Sequence, residues 1–144
     1  MKPLIGVTSF LCLTLNMIFW SSLLFLVGLV RLIIPSKNWK KLWTSVTIFV
    51  GETCISFNNA WIKVLLRPSI SITGMENLER QHWYIATSNH QSWGDIFILQ
   101  KITNKKVPLL RFFMKDALKW IPIVSIVGWA LDMPFLKRYS KEQI

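Results

Sequence analysis

The sequence predicts an α/β protein in which an N-terminal two-helix membrane anchor precedes short strands alternating with helices. Three observations predict it. Lys2 and Arg31 bracket 28 residues without a formal charge, Pro3 to Val30. Beyond Arg67-Pro68 the long apolar pattern breaks into short runs separated by polar residues and glycine, the pattern of an α/β layer. Only 17% of the 144 residues are charged and 52% are hydrophobic, against about 25% charged in ordinary soluble domains. The expected organisation is an anchoring unit over residues 1–66 and an α/β unit over 67–144.

As a helix, the first run is about 42 Å long at about 1.5 Å per residue, more than a hydrocarbon core of about 30 Å. A secretory leader has an apolar core of about 7–15 residues and a small-residue cleavage site, neither of which is present. Arg31, Lys37, Lys40 and Lys41 follow the run, against Lys2 before it, so the positive-inside bias puts the C-terminal flank in the cytoplasm. The expected location is therefore the cytoplasmic membrane, with the α/β unit on the cytoplasmic side. The second run, Leu42 to Ile62, carries Ser45, Glu52, Ser56 and Asn59 at helical offsets that Lys63, just after it, continues. That stripe suits a helix lying at the interface or one turned toward protein.

Arg67-Pro68 ends the helical pattern, because the residue before proline disfavours the helical region. Ser69 to Ile72 alternates with period two and reads as a strand that stops at Gly74. Trp83 to Ser88 reads as a second strand, and Asp95 to Lys101 as a helix. Val107 to Phe113 reads as a third strand, Asp116 to Trp120 as a short helix stopped by Pro122, and Met133 to Leu136 as an edge strand. Ile123 to Ala130 is apolar and fits either state. The 77 residues after position 67 are few for a sheet that needs both faces covered, so this part is expected to be the front half of a longer domain.

Composition narrows the classes. Eight Trp and nine Phe exclude a disordered tail. Cys12 and Cys54 lie in apolar runs and form neither a disulfide framework nor a metal-ligand pattern. His82 has no companion at ligand spacing and reads as structural. The net charge of +10 calls for an anionic partner. The basic residues are scattered and no nucleic-acid signature occurs, so that partner is a membrane or phosphate-bearing substrate and not nucleic acid. Lys105-Lys106 reads as solvated or facing lipid headgroups.

The stretch with chemical content is Asn89-His90-Gln91-Ser92-Trp93-Gly94-Asp95. His90 sits ahead of a helix, and Asp95 lies in its first turn. A carboxylate on one imidazole nitrogen fixes the tautomer and leaves the other to take a proton, which makes a general base. The same residues also spell a capping box, Ser92 to Asp95, in which Asp95 only holds the helix start. Both roles are compatible, since a carboxylate has two oxygens.

In a basic, membrane-anchored chain this pattern resembles the glycerolipid acyltransferases of the lysophosphatidic acid acyltransferase type, with their H-x4-D pair at His90 and Asp95. Gly74-Met75-Glu76-Asn77-Leu78 resembles the G-x-E-N-L turn ahead of that pair. Lys115-Asp116-Ala117-Leu118 with Pro122 resembles the block after it, and Trp129 through Met133-Pro134-Phe135-Leu136-Lys137-Arg138 the block ending in Phe-x-x-Arg. The bacterial subgroup with a Trp-Ala-Leu-Asp-Met-Pro-Phe segment is the nearest likeness. Ser125 departs from the glycine that relatives often carry there. The likeness implies the front half of a glycerolipid-acyltransferase α/β domain. It implies His90 and Asp95 as catalytic, Asn89 and Ser92 as supporting, Lys115 as a contact for oxyanion or phosphate, and Arg138 as a phosphate contact. It further implies acyl-CoA or acyl carrier protein as donor, a lysophospholipid, 1-acylglycerol-3-phosphate first, as acceptor, and no metal or organic cofactor. The family's Glu-Gly-(Thr/Ser)-Arg block is not found, since none of Glu52, Glu76, Glu79 and Glu142 precedes Gly. The rival expectation is an inactive truncated fragment that binds lipid without turnover, and residues 1–144 alone are expected to show no transfer.

Overall fold

The computed structural model describes residues 2–137. Helices α1 (Lys2–Ile33), α2 (Lys37–Leu65), α3 (Trp93–Thr103) and α4 (Pro122–Ala130) account for most of the regular structure among them. A 3-10 helix at Asp116–Trp120 and two-residue strands β1 (Met114–Lys115) and β2 (Phe135–Leu136) complete it.

α1 runs 32 residues because nothing in it breaks a helix, and only three residues separate it from α2. The connection is tied by the Trp39 indole N–H, which donates to the Val30 carbonyl at 3.0 Å. Lower in the pair, Asn16 Nδ2 donates to Asn58 Oδ1 at 2.8 Å. The contacts 30 with 39 and 16 with 58 make the two helices antiparallel. Leu4–Ile33 is long and apolar enough to cross a membrane, with a mean hydropathy of 2.1 and only 17% of that stretch buried inside the protein. α2 does not meet the same standard. It turns Thr47, Val50, Glu52, Cys54, Ile55, Asn58 and Ile62 inward, at helical spacing. Of the polar stripe read from sequence, Glu52 is buried and Ser56 half-buried, so the stripe faces protein there, while Ser45 and Lys63 are exposed. α2 ends as expected: Arg67, in the left-handed region (φ 44°), donates its N–H to the Ile62 carbonyl just before Pro68.

The described residues group into two compact units. One joins the chain up to Asn16 with Glu52–Leu110; the other joins Met17–Gly51 with the chain from Arg111 on. In the first, a lone carboxylate on an apolar helix finds a cation. Arg80 Nη2 lies 2.8 and 2.9 Å from the two Glu52 oxygens, with the aligned hydrogen bond going to Oε2. Asn104 Nδ2, just past α3, donates to Ser56 Oγ at 2.9 Å. In the second unit, Leu24, Val27, Thr47, Val50, Ala130 and Leu131 form the buried centre. β1 and β2 pair in parallel, Met114 opposite Phe135 and Lys115 opposite Leu136, bridged by the 3-10 helix and α4. A parallel pair requires such a crossover.

Three expected strands are corrected. Ser69 to Ile72, Trp83 to Ser88 and Val107 to Phe113 form no strand. Alternation marks a surface ready to be half buried, but a strand exists only with a hydrogen-bonded neighbour, and none is present among the described residues. Trp83 and Ile85 are accordingly 87% and 95% exposed. Val107 is buried, yet Pro108 beside it has no N–H to give a ladder. Among the described residues the α/β character is reduced to one short parallel pair. The 3-10 helix at Asp116–Trp120 and the pairing of Phe135–Leu136 agree with expectation, and the ambiguous run is helical.

Two outcomes follow from this packing. A Cβ on Gly128 would lie 2.5 Å from Met114 Cε and 2.7 Å from Phe135 Cζ. Gly128→Ala, ordinarily favourable in a helix, should instead lower stability by about 1–3 kcal/mol, read as a lower unfolding midpoint in detergent. The exposed apolar length of α1 should keep most of the protein in the membrane pellet after carbonate extraction at high pH; recovery mainly in the supernatant would contradict a membrane role for α1.

Candidate active site

α3 begins at Trp93 because Ser92 leaves the helix in extended conformation (φ −152°, ψ 163°) and Asp95 satisfies the free amides ahead of it. Asp95 Oδ2 accepts from the Gln91 N–H at 2.6 Å and from the Ser92 N–H at 2.8 Å. Its Oδ1 faces the Ser92 hydroxyl at 3.4 Å. The capping role is therefore realised. The proximity to histidine is realised as well: His90 Nδ1 lies 3.4 Å from Asp95 Oδ2. The two roles do not divide between the two oxygens, however. Oδ2 serves both the backbone and the imidazole.

The backbone N–H of Ser92, then that of Gln91, hold the Asp95 carboxyl below the usual carboxylate range against the opposing effect of desolvation; the nearby imidazole and the Ser92 hydroxyl add smaller effects in the same downward direction. The lowered value favours the charged form of the carboxylate that faces the imidazole. With Nδ1 turned to Asp95, Nε2 is the nitrogen left to exchange a proton with a bound molecule. The site is open: the His90 side chain is 60% exposed and that of Asp95 34%.

The structure thus brings His90, Ser92 and Asp95 together, with Asn89 exposed next to them. Lys115 belongs to the other compact unit, exposed on β1 and leading into the 3-10 helix. Arg138 lies outside the described residues. His82 stands 3.7 Å from Glu79 on the surface. Sequence reasoning missed Arg80 as the partner of Glu52 and Asp132 as the partner of Arg31 (2.9 Å). The only available signal was that a carboxylate or guanidinium in an apolar helix needs a counter-charge; spacing does not say which one.

The depressed Asp95 value has a sign that can be checked. A carboxyl with a lowered folded value stabilises the helix start above its unfolded value and loses that contribution as pH falls through the folded one. The amide resonances of Gln91 and Ser92 should therefore stay in their hydrogen-bonded positions throughout the ordinary carboxylate range and move only in stronger acid. Movement within the ordinary range would contradict the geometry.

Comparison with known proteins gives one match. The family model described as Acyltransferase matches residues 69–144, a stretch that contains His90, Asp95, Lys115 and Arg138. No curated protein and no solved structure matches the chain. The family match spans more than half of the 144 residues and includes the whole His90–Asp95 segment, and on that ground the chain belongs to the Acyltransferase family.

Proposed function

We propose that the protein is a membrane-anchored acyltransferase that moves a fatty acyl group from a thioester, acyl-CoA or acyl carrier protein, to the free hydroxyl of a lysophospholipid, 1-acylglycerol-3-phosphate first. The observation that carries the reading is the His90–Asp95 pair, 3.4 Å apart inside the segment matched by the family. The long apolar α1 and the net charge of +10 support a substrate that is both lipid and anionic. The positive flank after α1 supports a catalytic side facing the cytoplasm.

In this reading His90 Nε2 accepts the acceptor hydroxyl proton as that oxygen attacks the thioester carbonyl. Asp95 stabilises the imidazolium that forms. The tetrahedral oxyanion then collapses, the carbon–sulfur bond breaks, and the departing thiolate takes the proton back from His90. Lys115 is the candidate donor to the oxyanion or to the acceptor phosphate. Arg138 is the candidate fork for that phosphate. Because His90 and Asp95 are open to solvent, bound substrate must itself shield the reacting groups. Asn89 and Ser92 support the turn that presents His90.

Membranes carrying an enzyme that includes this segment together with the rest of the family's catalytic domain, supplied with labelled acyl donor and lysophosphatidic acid, should form diacyl product. His90→Ala should lower the rate by about 10²–10⁴-fold without loss of membrane association, the range a positioned base contributes. Asp95→Asn keeps a neutral acceptor for the amides but loses the charge facing the ring, so a near-normal rate in that variant would reduce Asp95 to a helix cap. No acyl-Ser92 should accumulate with donor alone, because Ser92 occupies a cap and not a G-x-S-x-G elbow. Recovery of an acylated Ser92 peptide by mass spectrometry would overturn the direct-transfer route.

A further inference from the structure

The unit built from Met17–Gly51 and the chain from Arg111 on carries a feature to which the proposed acyl transfer assigns no role. It is a cleft of about 140 Å³ lined by Gly28, Arg31, Leu32, Lys40, Trp129 and Asp132. Arg31 Nη1 donates to Asp132 Oδ2 at 2.9 Å. Asp132 sits in the left-handed region just past α4 (φ 53°), a conformation Asp tolerates better than most residues. A guanidinium has five N–H groups, so this bond leaves Arg31 donors to spare. Lys40 has no ion pair among the described residues. Two cations and one carboxylate leave the lining with an excess positive charge. The Trp129 indole packs onto Gly28 so closely that a Cβ there would run into the ring.

Depth and size say what such a cleft takes. Arg31 is in the last turn of α1, at the end of the apolar stretch Leu4–Ile33, and Lys40 is in the first turn of α2. That is the level at which lipid phosphates lie, and indoles such as the 42% exposed Trp129 favour it. Pockets that enclose whole small molecules run to about 300–1,000 Å³, so this cleft has room for a headgroup and not a whole lipid.

We propose that the cleft binds the phosphate headgroup of an anionic membrane phospholipid. Lys40 and the free edge of Arg31 contact the phosphate oxygens, and the tails remain in the bilayer. The proposal rests on α1 lying in a membrane; it is independent of the chemistry at His90. The test is native mass spectrometry of the full protein in detergent with phosphatidylglycerol, phosphatidylcholine or inorganic phosphate. A discrete one-lipid adduct with phosphatidylglycerol, weaker with phosphatidylcholine, is expected. Lys40→Gln should weaken it by about tenfold, the scale of one charge-assisted hydrogen bond. Lys41→Gln makes the same charge change outside the cleft and should leave the adduct within about twofold. Gly28→Val changes no charge but displaces the indole and should also weaken binding. Equal losses in Lys40→Gln and Lys41→Gln would overturn the proposal in favour of diffuse attraction. Equal binding of phosphatidylcholine, or displacement of phosphatidylglycerol by equimolar inorganic phosphate, would overturn it as well. A protein that stays in the carbonate-washed membrane yet shows no Lys40-dependent adduct loses the cleft and keeps the anchor; one stripped by carbonate loses the anchor itself.

Discussion

The Glu52 carboxylate is the constraint around which the His90-bearing unit is arranged. It sits on α2 with its side chain 6% exposed, in a helix otherwise rich in apolar residues. An ionised group taken out of water without a partner costs several kcal/mol, and removing one member of a buried pair typically costs about 3–5 kcal/mol. Arg80 removes that penalty. In doing so it fixes one point of a stretch, residues 66–92, that has no helix or strand of its own. The half-exposed guanidinium makes the pair weaker than a fully buried one, but a segment with so few other ties depends on it. Asn104 acts similarly at the far end of α3, where its bond to Ser56 attaches that helix to α2. The His90 turn therefore lies between two polar attachments to one helix, Arg80 on its N-terminal side and Asn104 on its C-terminal side.

The other unit is held by shape more than by charge. Gly28 and Gly128 are places where a side chain would collide with Trp129, or with Met114 and Phe135. Small residues there let a helix approach an aromatic ring or the strand pair. Phe25 adds a tilted ring contact with Trp129 at 6.2 Å between centroids. This is why α4, only nine residues long, is stable where it is: Ala130 and Gly128 are buried, and Leu131 beyond them closes the centre.

What could be read from the sequence was what neighbouring residues decide. The 28-residue uncharged run, the stop at Arg67-Pro68 and the Ser92–Asp95 cap are local, and each has its counterpart in the structure. The nearness of His90 to Asp95 was equally local, five positions apart at a helix start. The strands were not, because pairing depends on a second segment. Ser69 to Ile72 and Trp83 to Ser88 have the alternation without the neighbour. Met114 and Phe135, from a weaker pattern, find each other across 21 positions. Arg31 and Asp132, 101 positions apart, show the same limit for ion pairs.

The sharing of Asp95 Oδ2 between two backbone amides and an imidazole has a consequence for how this segment can change over generations. Active-site groups commonly reduce stability, so a protein can be made sturdier by replacing them and more active by keeping them. Under the proposed mechanism the two demands coincide at Asp95. Substitution by an apolar residue releases the Gln91 and Ser92 amides and removes the counter-charge beside His90 in one step. No drift through a stable but inert intermediate is open at this position except through residues that still accept hydrogen bonds, of which asparagine is the nearest in shape. Under the same mechanism, a variant that lost its chemistry by accident would more readily do so at His90, whose ring makes none of the hydrogen bonds to the amides that start α3, than at Asp95.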